Sequence, residues 1–393
     1  MPPRPNETSR RSHGWMGIHR GHHARPLEWV AEKFIFLVSL SAIAMILLIF
    51  VFVAREAAPV MFGRLSSAQV QSVIPAADMD KLQPEVLREY LGLKAKKFAE
   101  MDTETRKLLM EVKEEAAKEV TQDKDATINT VAWRHLLQPH QWTGYDQPSY
   151  IWQPVSQIQK YNIIPLIIGS LKTTVVALLF AVPLALGAAI YVSQLAGPRL
   201  KEYIKPSIEM LAGIPSVVLG FFGLIVLASF LQSIFGYQSR LNAFVAGIAL
   251  GLAVIPVVFS IAEDALTSVP RSYTQAALAL GSSRWQAAWQ VVLPAALPGV
   301  FAAVILGFGR AVGETMVVLM ASGNASIMSA SLFDSTRSIT ATIAAELAET
   351  VNGGHHYRLL FLIGALLFLV TFVSNLAGEL VMNRLKRRLE GKA

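Results

Sequence analysis

The sequence predicts an all-α, polytopic membrane protein with six transmembrane helices, and three observations carry that expectation. Only 16% of the residues are charged while 53% are hydrophobic, against about 25% charged in an ordinary soluble domain. The apolar residues lie in blocks about 20 residues long, enough for a helix to cross a bilayer core of about 30 Å. The basic residues collect at the ends of those blocks, the pattern that orients a membrane protein. A soluble core of this size would show shorter apolar runs, broken at helical or strand period.

The net charge of +7 is therefore read as orientation and not as nucleic-acid binding. The absence of cysteine excludes disulfides, thiolate metal sites and cysteine nucleophiles.

The predicted spans fall at about 34–53, 163–194, 208–235, 241–262, 298–321 and 359–382. The first follows about 33 polar and basic residues and is too long for a cleavable signal, so it reads as a signal anchor. The chain divides accordingly into a basic tail (1–33), the first span (34–53), an external segment with a helical insertion (54–162), a five-helix core (163–382) and a second tail (383–393).

Charge sets the orientation. Arg4, Arg10, Arg11, Arg20, Arg25 and Lys33 precede the first span, Arg199, Lys201 and Lys205 follow the second, and Arg271 and Arg284 follow the fourth. Arg384, Lys386, Arg387 and Arg388 end the chain. The opposite side offers only Arg240, Arg337 and the boundary residue Arg358 in its short connections. Both termini and the loop 263–297 are thus expected in the cytoplasm, the chain residing in an inner membrane.

The external segment is rich in Leu, Lys, Glu and Ala between Met79 and Glu119, which predicts one or two helices. Val86, Tyr90 and Leu93, at i, i+4 and i+7, would form their apolar stripe. His13, His19, His22 and His23 sit among Arg, Gly and Pro and read as part of a disordered basic tail. His355 and His356 beside Gly353 and Gly354 read as a turn.

The loop 263–297 carries a pattern. Gln275, Ala276 and Ala277 are followed by Gly281 and then, nine residues on, by Val291-Val292-Leu293-Pro294. This predicts two short helices with a break. Ser272 would cap the first and Gly281 end it; Ser282 or Ser283 would cap the second and Pro294 end that. Small Ala276, Ala277 and Ala279 leave a face that a partner's groove can approach. Trp285 and Trp289 are placed to anchor the second helix.

The fifth span holds the expected chemistry. Arg310 and Glu314 lie near the middle of 298–321, four residues apart and so on one helical face. Each would cost about 2.5–3.5 kcal/mol at mid-bilayer, so both should face the protein interior and pair. Arg310 offers a charged planar fork to an oxyanion, with Glu314 neutralising it when the site is empty. A packing ion pair is the alternative. Lys172 is read as snorkelling, and Glu209, Glu263 and Glu379 as interfacial.

With these residues in view, the chain resembles the permease subunits of ABC-type importers. Their cytoplasmic coupling loop reads E-A-A, three residues, G, nine residues, I-x-L-P. Ala276, Ala277, Gly281, Leu293 and Pro294 match, Val291 stands at the Ile position, and Gln275 departs from the acidic one. Gly313-Glu314-Thr315-Met316 after Arg310, the run from Gly213 to Gly223, and Gly323-Asn324 look like the phosphate-specific PstC/PstA family, and more like its PstC type.

The resemblance implies the type I importer permease fold and a role for Arg310 and Glu314 in phosphate transport. It also implies a PstA-like second permease, a PstB-like ATPase dimer and a PstS-like phosphate-binding protein. The chain has no G-x-x-x-x-G-K-[ST] phosphate loop. ATP and Mg are thus expected at the separate ATPase, with no cofactor and no catalysis in this chain. Another oxyanion (molybdate, tungstate or sulfate) and an ion-coupled secondary transporter stay open as alternatives.

Overall fold

Six helices among the described residues are long and apolar enough to cross a membrane: Trp29–Met61, Ile164–Leu195, Ser216–Phe235, Ala243–Thr267, Arg284–Gly313 and His355–Arg384. They are called spans one to six below. The computed structural model describes residues 26–66 and 76–389, apart from 80, 82, 92, 94–97, 99, 100, 123, 124, 126, 127 and 157. The four histidines expected in the basic tail lie outside the described residues. The chain forms two units that meet at Phe52 and Val53, within the first helix.

Spans two and four make the centre of the larger unit, and small residues let them approach. Ala177, Ala181, Ala185 and Ala189 recur every fourth residue of span two and are fully buried, one stripe along a helix face. Span four answers with Gly247, where an added Cβ would lie 2.5 Å from Val176 Cβ. Gly307 brings span five equally close, since a Cβ there would lie 2.5 Å from Val258 Cγ2. Such small-residue contacts bring helices together in lipid, where apolar burial drives little.

Three predicted spans differ from the observed helices, and the first runs Trp29–Met61 where 34–53 was expected. The third was expected at 208–235, but a separate helix, Pro198–Leu211, precedes a span that begins at Ser216. The chain turns between them through Gly213 N–H to the Met210 carbonyl, and Pro215 supplies no N–H to continue. The fifth span begins at Arg284 and ends at Gly313, where 298–321 was expected. Pro294 does not end the helix. A π-helical turn, Ala288–Val292, precedes it, and that wider turn accommodates a residue whose ring crowds the preceding carbonyls.

Beyond Gly313 the backbone becomes extended at Glu314 (φ −70°, ψ 134°), and a short helix, Met316–Ala321, follows. Helix Ile339–Glu346, capped by Ser338, then leads towards span six. His356 lies in the first turn of the final helix, His355–Leu389, and not in a turn; the reversal before it uses Gly353 at φ +80°.

Between spans one and two lie helices Pro84–Leu91 and Thr103–Gln122, and a two-stranded antiparallel ribbon of Trp152–Gln153 with Lys160–Tyr161. The apolar stripe is offset by one residue from the expected one. Leu87 and Leu91 are buried with Met79 and Met110, whereas Val86 is 48% exposed. Tyr90 and Leu93 pack at the margin of that cluster.

Gly247→Val should lower the melting temperature of the detergent-solubilised protein, because overpacking at a close crossing costs about 1–3 kcal/mol. Gly187→Ala, where no atom lies within 4 Å of the new Cβ, should leave it unchanged or raise it. Equal effects of the two would contradict the close packing of spans two and four.

Candidate transport pathway and coupling surface

Arg310 occupies the last turn of span five, and Glu314 caps that helix from just beyond it. The two keep the i, i+4 relation that the sequence predicts, but at the end of a helix and not in the middle of a continuous span. Arg310 Nη2 lies 3.7 Å from Glu314 Oε2, an ion pair in which Glu314 is 8% and Arg310 50% exposed. Among the described residues the guanidinium makes no hydrogen bond. Glu314 is held more firmly: its carbonyl accepts from Thr340 Oγ1 at 2.8 Å and its Oε1 from the Thr315 N–H at 3.1 Å.

Arg310 borders a cleft of about 650 Å³ between spans four, five and six. Its walls are apolar at Val257, Ile261, Leu306 and Phe368, with Thr371 and Asn375 as the neutral polar groups. Gly309 and Gly313 flank Arg310 and leave its fork uncovered. A half-exposed guanidinium with neutral hydrogen-bonding groups in an otherwise apolar wall suits an anion with several oxygens.

The expected coupling residues divide into two groups. Gln275, Ala276 and Gly281 are exposed, whereas Ala277 is buried on the inner face of helix Arg271–Ala279. Gly281 takes φ +89°, a conformation that favours glycine, and reverses the chain. Val291, Leu293 and Pro294 are half-buried in span five. Ser272 does not cap the first helix, because the helix already begins at Arg271 after Pro270. Ser283 caps the second. Its Oγ accepts from the Gln286 N–H at 3.2 Å while Gln286 Oε1 accepts from the Ser283 N–H at 2.8 Å. Trp285 and Trp289 stack with ring centres 6.0 Å apart and are more than half exposed.

Two charged clusters are not visible in the sequence. Glu263, expected at an interface, has a side chain only 1% exposed and accepts from Lys201 and Lys205, each at 2.6 Å. Hydrogen bonding to Glu263, and then to Asp264, holds the Lys205 ammonium above the usual lysine range despite its partial burial. On the other cluster, Glu346 binds Arg337 at 2.5 Å, His356 at 2.9 Å and Trp152 Nε1 at 3.1 Å. The first has no local signal, since those lysines lie 62 and 58 residues from Glu263; of the partners of Glu346, Trp152 is the distant one, 194 residues away. Lys172 does not snorkel freely; its Nζ donates to the Ser329 carbonyl at 2.9 Å.

Six apolar spans, a cleft beside an Arg–Glu pair and a helix–glycine–helix projecting between spans define a membrane permease. Residues 181–391 match the family described as binding-protein-dependent transport system inner membrane component, and the chain belongs to that family. It is a transmembrane permease subunit. It is 36% identical over 236 residues to the probable ABC transporter permease protein YqgH of Bacillus subtilis, covering 60% of this chain and 76% of that one. It is 35% identical over 260 residues to the phosphate transport system permease protein PstC of Pasteurella multocida, covering 61% and 80%. An inward-facing structure of the MetNI methionine ABC transporter aligns over 57% of this chain and 94% of its own, with 17% identity and a TM-score of 0.43.

Ser283→Ala removes one half of the reciprocal cap and should cost that helix start about 1 kcal/mol. Amide exchange over residues 284–287 should quicken while the remainder of span five is unchanged. Unaltered exchange there would contradict the cap.

Proposed function

We propose that the chain forms the substrate pathway of an ATP-driven phosphate importer in a bacterial inner membrane. The observation that carries this reading is Arg310, half exposed at an apolar cleft and paired with Glu314 at 3.7 Å without a hydrogen bond. A tetrahedral oxyanion can take the free donors of the fork, and Glu314 balances the charge once the anion leaves. Relatives named as phosphate permeases, such as that of Pasteurella multocida, support phosphate over other oxyanions.

In this reading a homologous PstA-like subunit completes the pathway, and a PstS-like binding protein delivers phosphate from outside. A PstB-like ATPase dimer uses ATP and Mg, and this chain itself catalyses nothing. Helix Arg271–Ala279 and the exposed Trp285–Trp289 pair meet that dimer on the cytoplasmic side, where both termini also lie. Gln275 in place of the acidic residue leaves this contact shape and hydrogen bonding without a charge. ATPase closure then moves the foot of spans four and five, and the cleft at Arg310 exchanges one side of the membrane for the other.

The test is reconstitution in proteoliposomes with the co-purified ATPase and binding protein. Phosphate should stimulate ATP hydrolysis and be taken up, with sulfate and molybdate inactive. Stimulation by sulfate or molybdate instead would contradict phosphate, and uptake without nucleotide would contradict an ATP-driven importer. Arg310→Ala should abolish uptake with assembly intact. Arg310→Lys, which keeps the charge but loses the fork, should reduce uptake on the order of 10–100-fold, matching loss of about 1.5–3 kcal/mol for a charge-assisted bond.

A further inference from the structure

Helix Pro198–Leu211 has no buried residue, so little apolar packing attaches it to the bundle. Ile204 and Ile208 touch the central core only at its margin. Its firm attachment is polar. Lys201 and Lys205, one turn apart, both donate to Glu263, whose carboxylate is otherwise sealed inside span four and also accepts from Thr267 at 2.8 Å. Lys205 additionally reaches Asp264 at 3.0 Å. Separating the helix from span four would strand a carboxylate in an apolar interior, so the clamp resists that separation more than the scarce apolar contacts do.

The chain's connectivity gives the clamp a direction. Glu263 lies one turn from the end of span four, and only Ser268, Val269 and Pro270 separate that span from helix Arg271–Ala279. At the other side of the clamp, helix Pro198–Leu211 joins span three across residues 212–215.

We propose that the Glu263–Lys201–Lys205 clamp is the strut that transmits movement of the coupling helix to span three, making Glu263 a positioning residue for transport. This rests on the ATP-driven reading above. Spans four and five, one at each end of helix Arg271–Ala279, carry its movement to the centre of the bundle. The clamp adds a lateral branch, so spans three and four swing together. Without the charge, span four still moves with the ATPase but span three lags, and hydrolysis continues without equivalent transport.

The experiment uses the full complex in proteoliposomes, with phosphate and ATP, and reads assembled complex, ATP hydrolysis and phosphate moved per ATP. Glu263→Gln keeps the shape and one hydrogen-bond acceptor but removes the charge. It should assemble and hydrolyse ATP while phosphate moved per ATP falls at least tenfold. The double variant Lys201→Met with Lys205→Met should behave alike, and the exchange Glu263→Lys with Lys205→Glu should recover part of the ratio. An unchanged ratio in both Glu263→Gln and the lysine double variant would overturn the strut. So would a parallel fall of uptake, hydrolysis and assembled complex in both, which marks a purely structural contact. Phosphate uptake by the unsubstituted complex without ATP would instead overturn the functional reading, and the strut with it.

Discussion

An ionised side chain inside an apolar bundle must be compensated where it stands, and that constraint organises this molecule. Glu263, with its carboxylate sealed from solvent, takes two ammonium groups at 2.6 Å. Glu314, nearly buried, takes Arg310 at 3.7 Å. The two solutions differ in kind. The first is saturated, short and multiply bonded, as suits a joint. The second is longer and leaves guanidinium donors free at a cleft, as suits a site where a partner can be exchanged. Leaving the sealed Glu263 carboxylate unpartnered would cost several kcal/mol, so it fixes the helix that supplies its two lysines.

Close helix packing makes both arrangements possible. Alanines and glycines of spans two, four and five bring backbones together without long side chains between them. That rigid centre contrasts with the helix ends where the charged groups sit. Span five illustrates the trade. Its π-helical turn accommodates Pro294, and its abrupt end at Gly313 turns Glu314 back while Thr340 holds its carbonyl.

How much of this is legible in the sequence follows from how local each signal is. Apolar runs about 20 residues long announce spans because bilayer thickness sets their length, and a six-span all-α chain follows. Helix ends are less legible. The sequence of 208–235 is apolar enough to read as one span, yet Pro215 and Gly213 break it; 298–321 likewise runs through a break at Glu314 that no composition marks. Spacing also places Arg310 and Glu314 on one helical face, but that helix ends at Gly313 and does not run on to 321 as expected. Gly281 and Ser283 are readable because turn and cap chemistry is local. The Glu263 clamp and the Trp152 contact of Glu346 are not, because each joins segments whose proximity only the fold creates.

Transport through this chain requires the cleft at Arg310 to be an aqueous anion pathway and not a lipid-facing groove. The chain has no cysteine, so Thr371→Cys and Asn375→Cys each place a single thiol in that cleft. In reconstituted complex, membrane-impermeant anionic thiol reagents should react faster than cationic ones of equal size. Phosphate during ATP turnover should slow them, and Arg310→Ala should abolish the preference for anions. Reaction with lipid-soluble reagents alone, indifferent to phosphate and to Arg310, would contradict the account.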